Sequence, residues 1–168
     1  MIPEIKKILY ATDLSKNSYH AFSYAASIAN RHQAKITILH VLEDLPEGHR
    51  GMVTSILGEE RWEELKKKNE QQVLGALRAR LEAFCEDAKR ELTSCPFTVE
   101  KIEVKIGYPA GEILRQAETG GYDLVVIGSH GYSSMSAVAD ALMGNTARKV
   151  LQKCAKPVLI VRLPEEKS

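Results

Sequence analysis

Apolar runs of strand length alternate along this chain with segments whose apolar residues recur at helical spacing. KKILYA at 6–11 reads as a buried strand. Behind it Ala21, Tyr24, Ala25 and Ile28 fall at i, i+3, i+4 and i+7, the stripe of an amphipathic helix. KITILHV at 35–41 reads as a second strand. From 59 to 92 the positions Trp62, Leu65, Val73, Leu77, Leu81, Phe84, Ala88 and Leu92 keep one stripe, which predicts a long helix with a charged outer face. FTVEKIEV at 97–104 is a third strand; Gly107 follows it, and Pro109 opens a short helix at the first helical position, which proline favours. DLVVIG at 123–128 is the fourth strand. Ala147, Val150, Leu151 and Cys154 mark a last helix, and PVLIVRL at 157–163 closes the pattern as a fifth strand.

Strands that alternate with helices predict an α/β fold: a doubly wound, five-stranded parallel sheet with helices on both faces and right-handed crossovers. In the strand order 3-2-1-4-5 the reversal point lies between strands 1 and 4, and ligands of such sheets bind beyond the carboxyl ends of the strands at that point. Asp13 closely follows strand 1 and Gly128 ends strand 4, so both are expected to flank one crevice.

Composition narrows the partners. A chain of 168 residues, 44% hydrophobic and 27% charged, suits one domain spanning 1–168. A net charge of +1 gives no long-range field favouring nucleic acid or an anionic membrane. The start MIPEIKKILYATD resembles no signal peptide, and no apolar run approaches the ~20 residues of a spanning helix, so a soluble, cytoplasmic protein is expected. Cys85, Cys95 and Cys154 form no CxxC pair and fit reduced thiols better than a disulfide framework or a zinc site. The histidines at 20, 32, 40 and 49 show no metal-ligand spacing.

The stretch GSHGYSSMSAVADALMGNT, 128–146, carries the clearest chemistry. Gly128 and Gly131 leave the fourth strand with backbone N–H groups open to an anion, and Gly144 stands before a helix whose N-terminal dipole favours negative charge. The spacing matches neither GxxxxGK[ST] nor GxGxxG, which removes the main support for a P-loop NTPase or a dinucleotide dehydrogenase. Phosphate is the natural ligand of this arrangement; plain turns are the alternative reading of the same glycines.

KILYATDLS, ITILHV, GYPAGEIL, DLVVIGSHG and GNTARKVLQKCAKPVLIVR together resemble the universal stress protein family of the adenine-nucleotide-binding kind, whose signature is G-x2-G-x9-G followed by Ser or Thr. The resemblance implies ATP, or AMP or ADP, in the crevice, with Mg²⁺ carried by the phosphates. It assigns Thr12, Asp13 and Val41, with Ala11 beside them, to adenine and ribose. Ile127, Gly128, Ser129, His130, Gly131, Gly144 and Asn145 are assigned to ribose and phosphates. Twelve residues, 132–143, separate Gly131 from Gly144 where the signature has nine, and Asn145 stands where a hydroxyl is usual. An added helical turn is the expected way to keep the third glycine in phase, since three residues rise roughly 4.5 Å. The Asn145 amide still donates, and Thr146 offers a hydroxyl one place later.

The function implied is a regulatory, nucleotide-dependent homodimeric switch of the stress response. The alternatives are an ATP-using enzyme with slow hydrolysis and a member without nucleotide that acts through an unknown protein partner. His130 reads as a contact rather than a catalytic base, and no acid, base or nucleophile constellation stands out. PVLIVRL is an apolar edge that invites pairing with a second copy about a two-fold axis. The connection 42–58 reads as a lid, a partner surface or a short packed helix, and Lys66 to Lys68 as a solvated helix face.

Overall fold

The computed structural model describes residues 1–15, 18–43, 58–130 and 143–162. Gly131, most of the 42–58 connection and Leu163 lie outside these residues, as do the side chains of Trp62, Leu65 and Lys66. The elements run β1 (Lys7–Ala11), α1 (Ser18–His32), β2 (Lys35–Glu43), α2 (Glu59–Glu91), β3 (Thr98–Gly107), α3 (Pro109–Thr119), β4 (Leu124–Gly128), α4 (Asn145–Lys153) and β5 (Val158–Val161). The strands form one five-stranded sheet in the order β3-β2-β1-β4-β5, and every neighbouring pair is parallel.

Period-two alternation in the strands sorts the core into two layers. Ile8 and Tyr10 of β1 pack with Phe22 of α1 and Leu81 of α2, whereas Leu9 and Ala11 pack with Ile113 of α3 and Val150 of α4. Helices α1 and α2 therefore cover one face and α3 and α4 the other. Strands β1 and β4 are buried on both faces, which is why their sequences are unbroken apolar runs rather than alternating ones. Phe22 anchors the first layer, with its ring edge-on to Tyr10, Phe84 and Phe97 at 5.1 to 5.3 Å.

Three details differ from the sequence pattern. β3 runs past Val104 to Gly107, because Lys105, Ile106 and Gly107 still pair with Val41, Leu42 and Glu43. The buried stripe of α1 is Ala21, Phe22, Ala25, Ala26 and Ala29, and Tyr24 is 48% exposed. A face of alanines lets the helix lie close to the sheet, which leaves the larger Tyr24 outside. Val73 and Leu151 are likewise exposed, so the stripes of α2 and α4 are narrower than their apolar positions suggested.

The two sheet edges differ in chemistry. β3 carries Glu100, Lys101, Glu103 and Lys105, charges of the kind that discourage edge pairing, while β5 is VLIV. Val125 N–H donates to Pro157 O and Ser129 N–H to Val161 O, so the odd-numbered residues of β5 bond inward to β4. The alternation then turns the N–H groups of Val158 and Ile160 outward.

Candidate functional site

β1 leads into α1 on one face, while α4, the next described element after β4, packs on the other. Parting chains at neighbouring strands open a crevice at the carboxyl end of the sheet. A cleft of about 520 Å³ lies there. Ala11, Thr12 and Asp13 line it from the end of β1, Val41 from β2, Ile127, Gly128, Ser129 and His130 from β4 and the residues after it, and Gly144, Asn145 and Thr146 from the start of α4. The structure thus brings together every residue singled out from the sequence except Gly131, which is outside the described residues.

The turn after β1 is built from its own side chains. Thr12 Oγ1 accepts the N–H of Leu14 at 3.0 Å, and Asp13 Oδ1 accepts the N–H of Ser15 at 2.9 Å. Leu14 adopts a left-handed φ of 62°, a conformation that costs a non-glycine residue on the order of 1 kcal/mol. Burial of its side chain offsets that cost, and Arg80 of α2 reaches its carbonyl at 3.4 Å. Asp13 is held at the cleft wall by this turn.

On the opposite wall, Gly144 N–H donates to Ser129 O at 2.8 Å. A Cβ on Gly144 would stand 3.2 Å from that same oxygen, so the close approach of α4 to the end of β4 calls for glycine. This corrects one expectation: the Gly144 amide is committed within the protein and does not face a ligand. The amides open to an anion are those of Asn145, Thr146 and Ala147, the first residues of a helix without a side-chain cap, and all three line the cleft. Ser129 Oγ lies 2.8 Å from Nδ1 of His130 and steadies the ring. Asn145 Oδ1 accepts a bond from Arg148, so the amide nitrogen of Asn145 is left to donate.

Several lining residues carried no sequence signal of their role. His40 is buried on β2, with Nδ1 2.8 Å from the carbonyl of Thr12. A carbonyl only accepts, so Nδ1 bears the proton, and the imidazole ties β2 to the turn of β1. Its partner is 28 residues away, beyond any local pattern. Tyr10 donates its hydroxyl to Ser18 O at 2.6 Å, and burial pushes its pKa up, so the phenol stays protonated. Pro109 and Ile113, at i and i+4 on α3, add to the apolar lining, Ile113 packing in one cluster with Val41 and Ile127. Pro109 was legible as a helix start; that its helix points this end at the cleft was not.

The site therefore combines an apolar wall, carboxylates at Asp13 and Glu43, and open amide donors at a helix N-terminus. That arrangement suits a ligand with a flat apolar end and an anionic end. Among the described residues no cluster of three or more His, Cys, Asp or Glu is placed to hold a metal ion, and no helix is long and apolar enough to cross a membrane.

Comparison with known proteins follows the same lines. Residues 4–162 match the model of the Universal stress protein family. Universal stress protein YxiE of Bacillus subtilis is 32% identical over 163 residues, covering 93% of this chain and 98% of the relative. Universal stress protein MJ0577 of Methanocaldococcus jannaschii is 29% identical over 157 residues, 94% of each chain. Its solved structure superposes with a TM-score of 0.69, covering 98% of this chain and all of the other at 26% identity. A universal stress protein family protein from Arabidopsis thaliana, solved with AMP bound, shares the fold at a TM-score of 0.58 and 16% identity, covering 96% of this chain and 94% of its own.

Proposed function

The chain belongs to the universal stress protein family, and we propose that its cleft binds an adenine nucleotide, AMP, ADP or ATP, as the control element of a regulatory protein in the stress response. Adenine lies against Val41, Ile127, Pro109 and Ile113, with Ala11 and Thr12 at its edge. The Asp13 carboxylate accepts hydrogen bonds from the ribose hydroxyls, the use dinucleotide-binding folds make of an acidic residue. The amides of Asn145 to Ala147, with His130 and the Thr146 hydroxyl, receive the phosphates beside Gly128 and Ser129 at the end of β4, and Gly131 joins them.

The observation that supports this reading is the meeting, in one cleft at the sheet's reversal point, of an uncapped helix N-terminus with an apolar wall and the Asp13 turn. The relative with AMP bound shares the fold. A divalent ion such as Mg²⁺ travels on the phosphate oxygens and is held by them. The rest of the proposal is a single domain in the cytoplasm, a homodimer joined through β5, and a switch whose output is a change of partner rather than turnover. Calorimetry with ATP, AMP and GTP tests it: saturable binding of ATP or AMP, with GTP at least tenfold weaker (about 1.4 kcal/mol), is the expected result. Equal affinity for GTP overturns the adenine assignment, and rapid release of phosphate from bound ATP overturns the switch in favour of an enzyme.

A further inference from the structure

The cleft is poor in positive charge. Two carboxylates, Asp13 and Glu43, line it, and among the described residues no lysine or arginine does. In the sequence between Gly131 and Gly144, residues 132–143 contain no lysine or arginine either, and one aspartate, Asp140. Backbone amides can hold one phosphate group in such a site, but each further phosphate adds negative charge to a cleft that already holds two carboxylates.

Two cations stand at its rim. Arg148 and Lys149 follow the cleft-lining first turn of α4, at i+3 and i+4 from Asn145. Side chains on a helix lean toward its N-terminus, so long residues at these positions reach back over the first turn. Arg148 does so and donates to Asn145 Oδ1. Lys149 donates to the hydroxyl of Tyr108, the residue just before the cleft-lining Pro109. Both acceptors are neutral. Among the described residues neither cation has an ion-pair partner, whereas Arg78, Lys89, Arg90 and Arg115 each pair with a carboxylate on their own helix.

We infer that Arg148 and Lys149 count phosphates: they neutralise the distal phosphates of a bound adenosine di- or triphosphate, and so make the cleft favour ATP over AMP. The inference rests on the adenine-nucleotide reading of the cleft. The two side chains move little to do this, because each is already held at the rim by a neutral acceptor that it can share with, or exchange for, a phosphate oxygen.

The test is calorimetry with AMP and ATP in a buffer containing a chelator and no divalent ion. It compares the parent, Arg148→Gln/Lys149→Gln, and Lys101→Gln as a charge control on β3. Glutamine removes the charge and keeps an amide donor on a side chain shorter than either, and the Lys101→Gln control carries the same change of shape and charge away from the cleft. The expected result is a parent that prefers ATP, a double variant whose ATP affinity falls about tenfold (about 1.4 kcal/mol) while AMP affinity stays within about twofold (about 0.4 kcal/mol), and a control like the parent. The difference should shrink as salt rises, and Arg148→Lys should retain most of the preference for ATP. Unchanged AMP affinity doubles as evidence that the variant is folded. An unchanged ratio of ATP to AMP affinity in the double variant, or an equal change in the control, overturns the inference and leaves the adenine reading standing. A parent that binds neither nucleotide overturns both.

Discussion

Gly128 separates what the fold needs from what a ligand needs. Its backbone does not require glycine, since its φ is not among the positive values, and a Cβ there would meet His130 O at 3.7 Å and Ala21 Cβ at 3.9 Å, ordinary contacts. Gly128→Ala should therefore be tolerated. Where the conformation is compatible, this exchange stabilises by ~0.4–1 kcal/mol, chiefly by restricting the unfolded chain. For a chain of this size that corresponds to a rise of roughly 1–4 °C in Tm. Binding should move the other way, because the methyl enters the space between Gly128 and Ala21, both of which line the cleft. An anion kept from its ~2.9 Å hydrogen-bond distance loses most of a charge-assisted bond, about 1.5–3 kcal/mol, or at least tenfold in affinity. Thermal unfolding and calorimetry on the same sample read both quantities. A variant that binds ATP like the parent refutes the idea that a ligand uses this space; one that loses more than about 1 kcal/mol shows the glycine to be a demand of the fold.

Tyr10→Phe should cost roughly 1–3 kcal/mol in urea unfolding, since it strips the 2.6 Å bond from Ser18 O inside the core; an unchanged midpoint would show that bond to be idle. Burial pushes the Cys85 thiol up to about 11 from its ordinary value of 9.0, so the folded state holds its proton longer than the unfolded chain does. That stability is fully present below about pH 9 and is lost as pH rises toward 11, so Tm should fall across this window, and less steeply in Cys85→Ala. Equal slopes in parent and variant would place the alkaline transition elsewhere. For the dimer, Ile160→Pro removes an N–H that faces away from β4, so light scattering should show weakened association of a folded chain; proline at Leu159 would instead break the sheet itself. A parent that is monomeric at high micromolar concentration rules out pairing through β5.

The layers and strand order were legible because β1 and β4 announce themselves as doubly buried runs, and because Asp13 and Gly128 sit where those two strands end. What escaped was set by contacts distant in sequence. The charged tail of β3 continues only because β2 is there to pair with it. Alanines on α1 carry little hydrophobic weight yet win the buried face from Tyr24, since they permit close approach to the sheet. His40 gained its role from a carbonyl in the turn after the neighbouring strand. Gly144 was read as free backbone beside a helix N-terminus, but its amide is bound to Ser129 O of its own chain.

Whether this cleft holds an adenine nucleotide can be read residue by residue from backbone amide resonances during a titration with ATP. Saturable shifts should be largest at Thr12, Asp13, Val41, Gly128 to His130, and Asn145 to Ala147, while Arg78, Glu86 and Lys101, which line the groove between α2 and β3, stay in place. No saturable shift, or shifts centred on that groove, would contradict it.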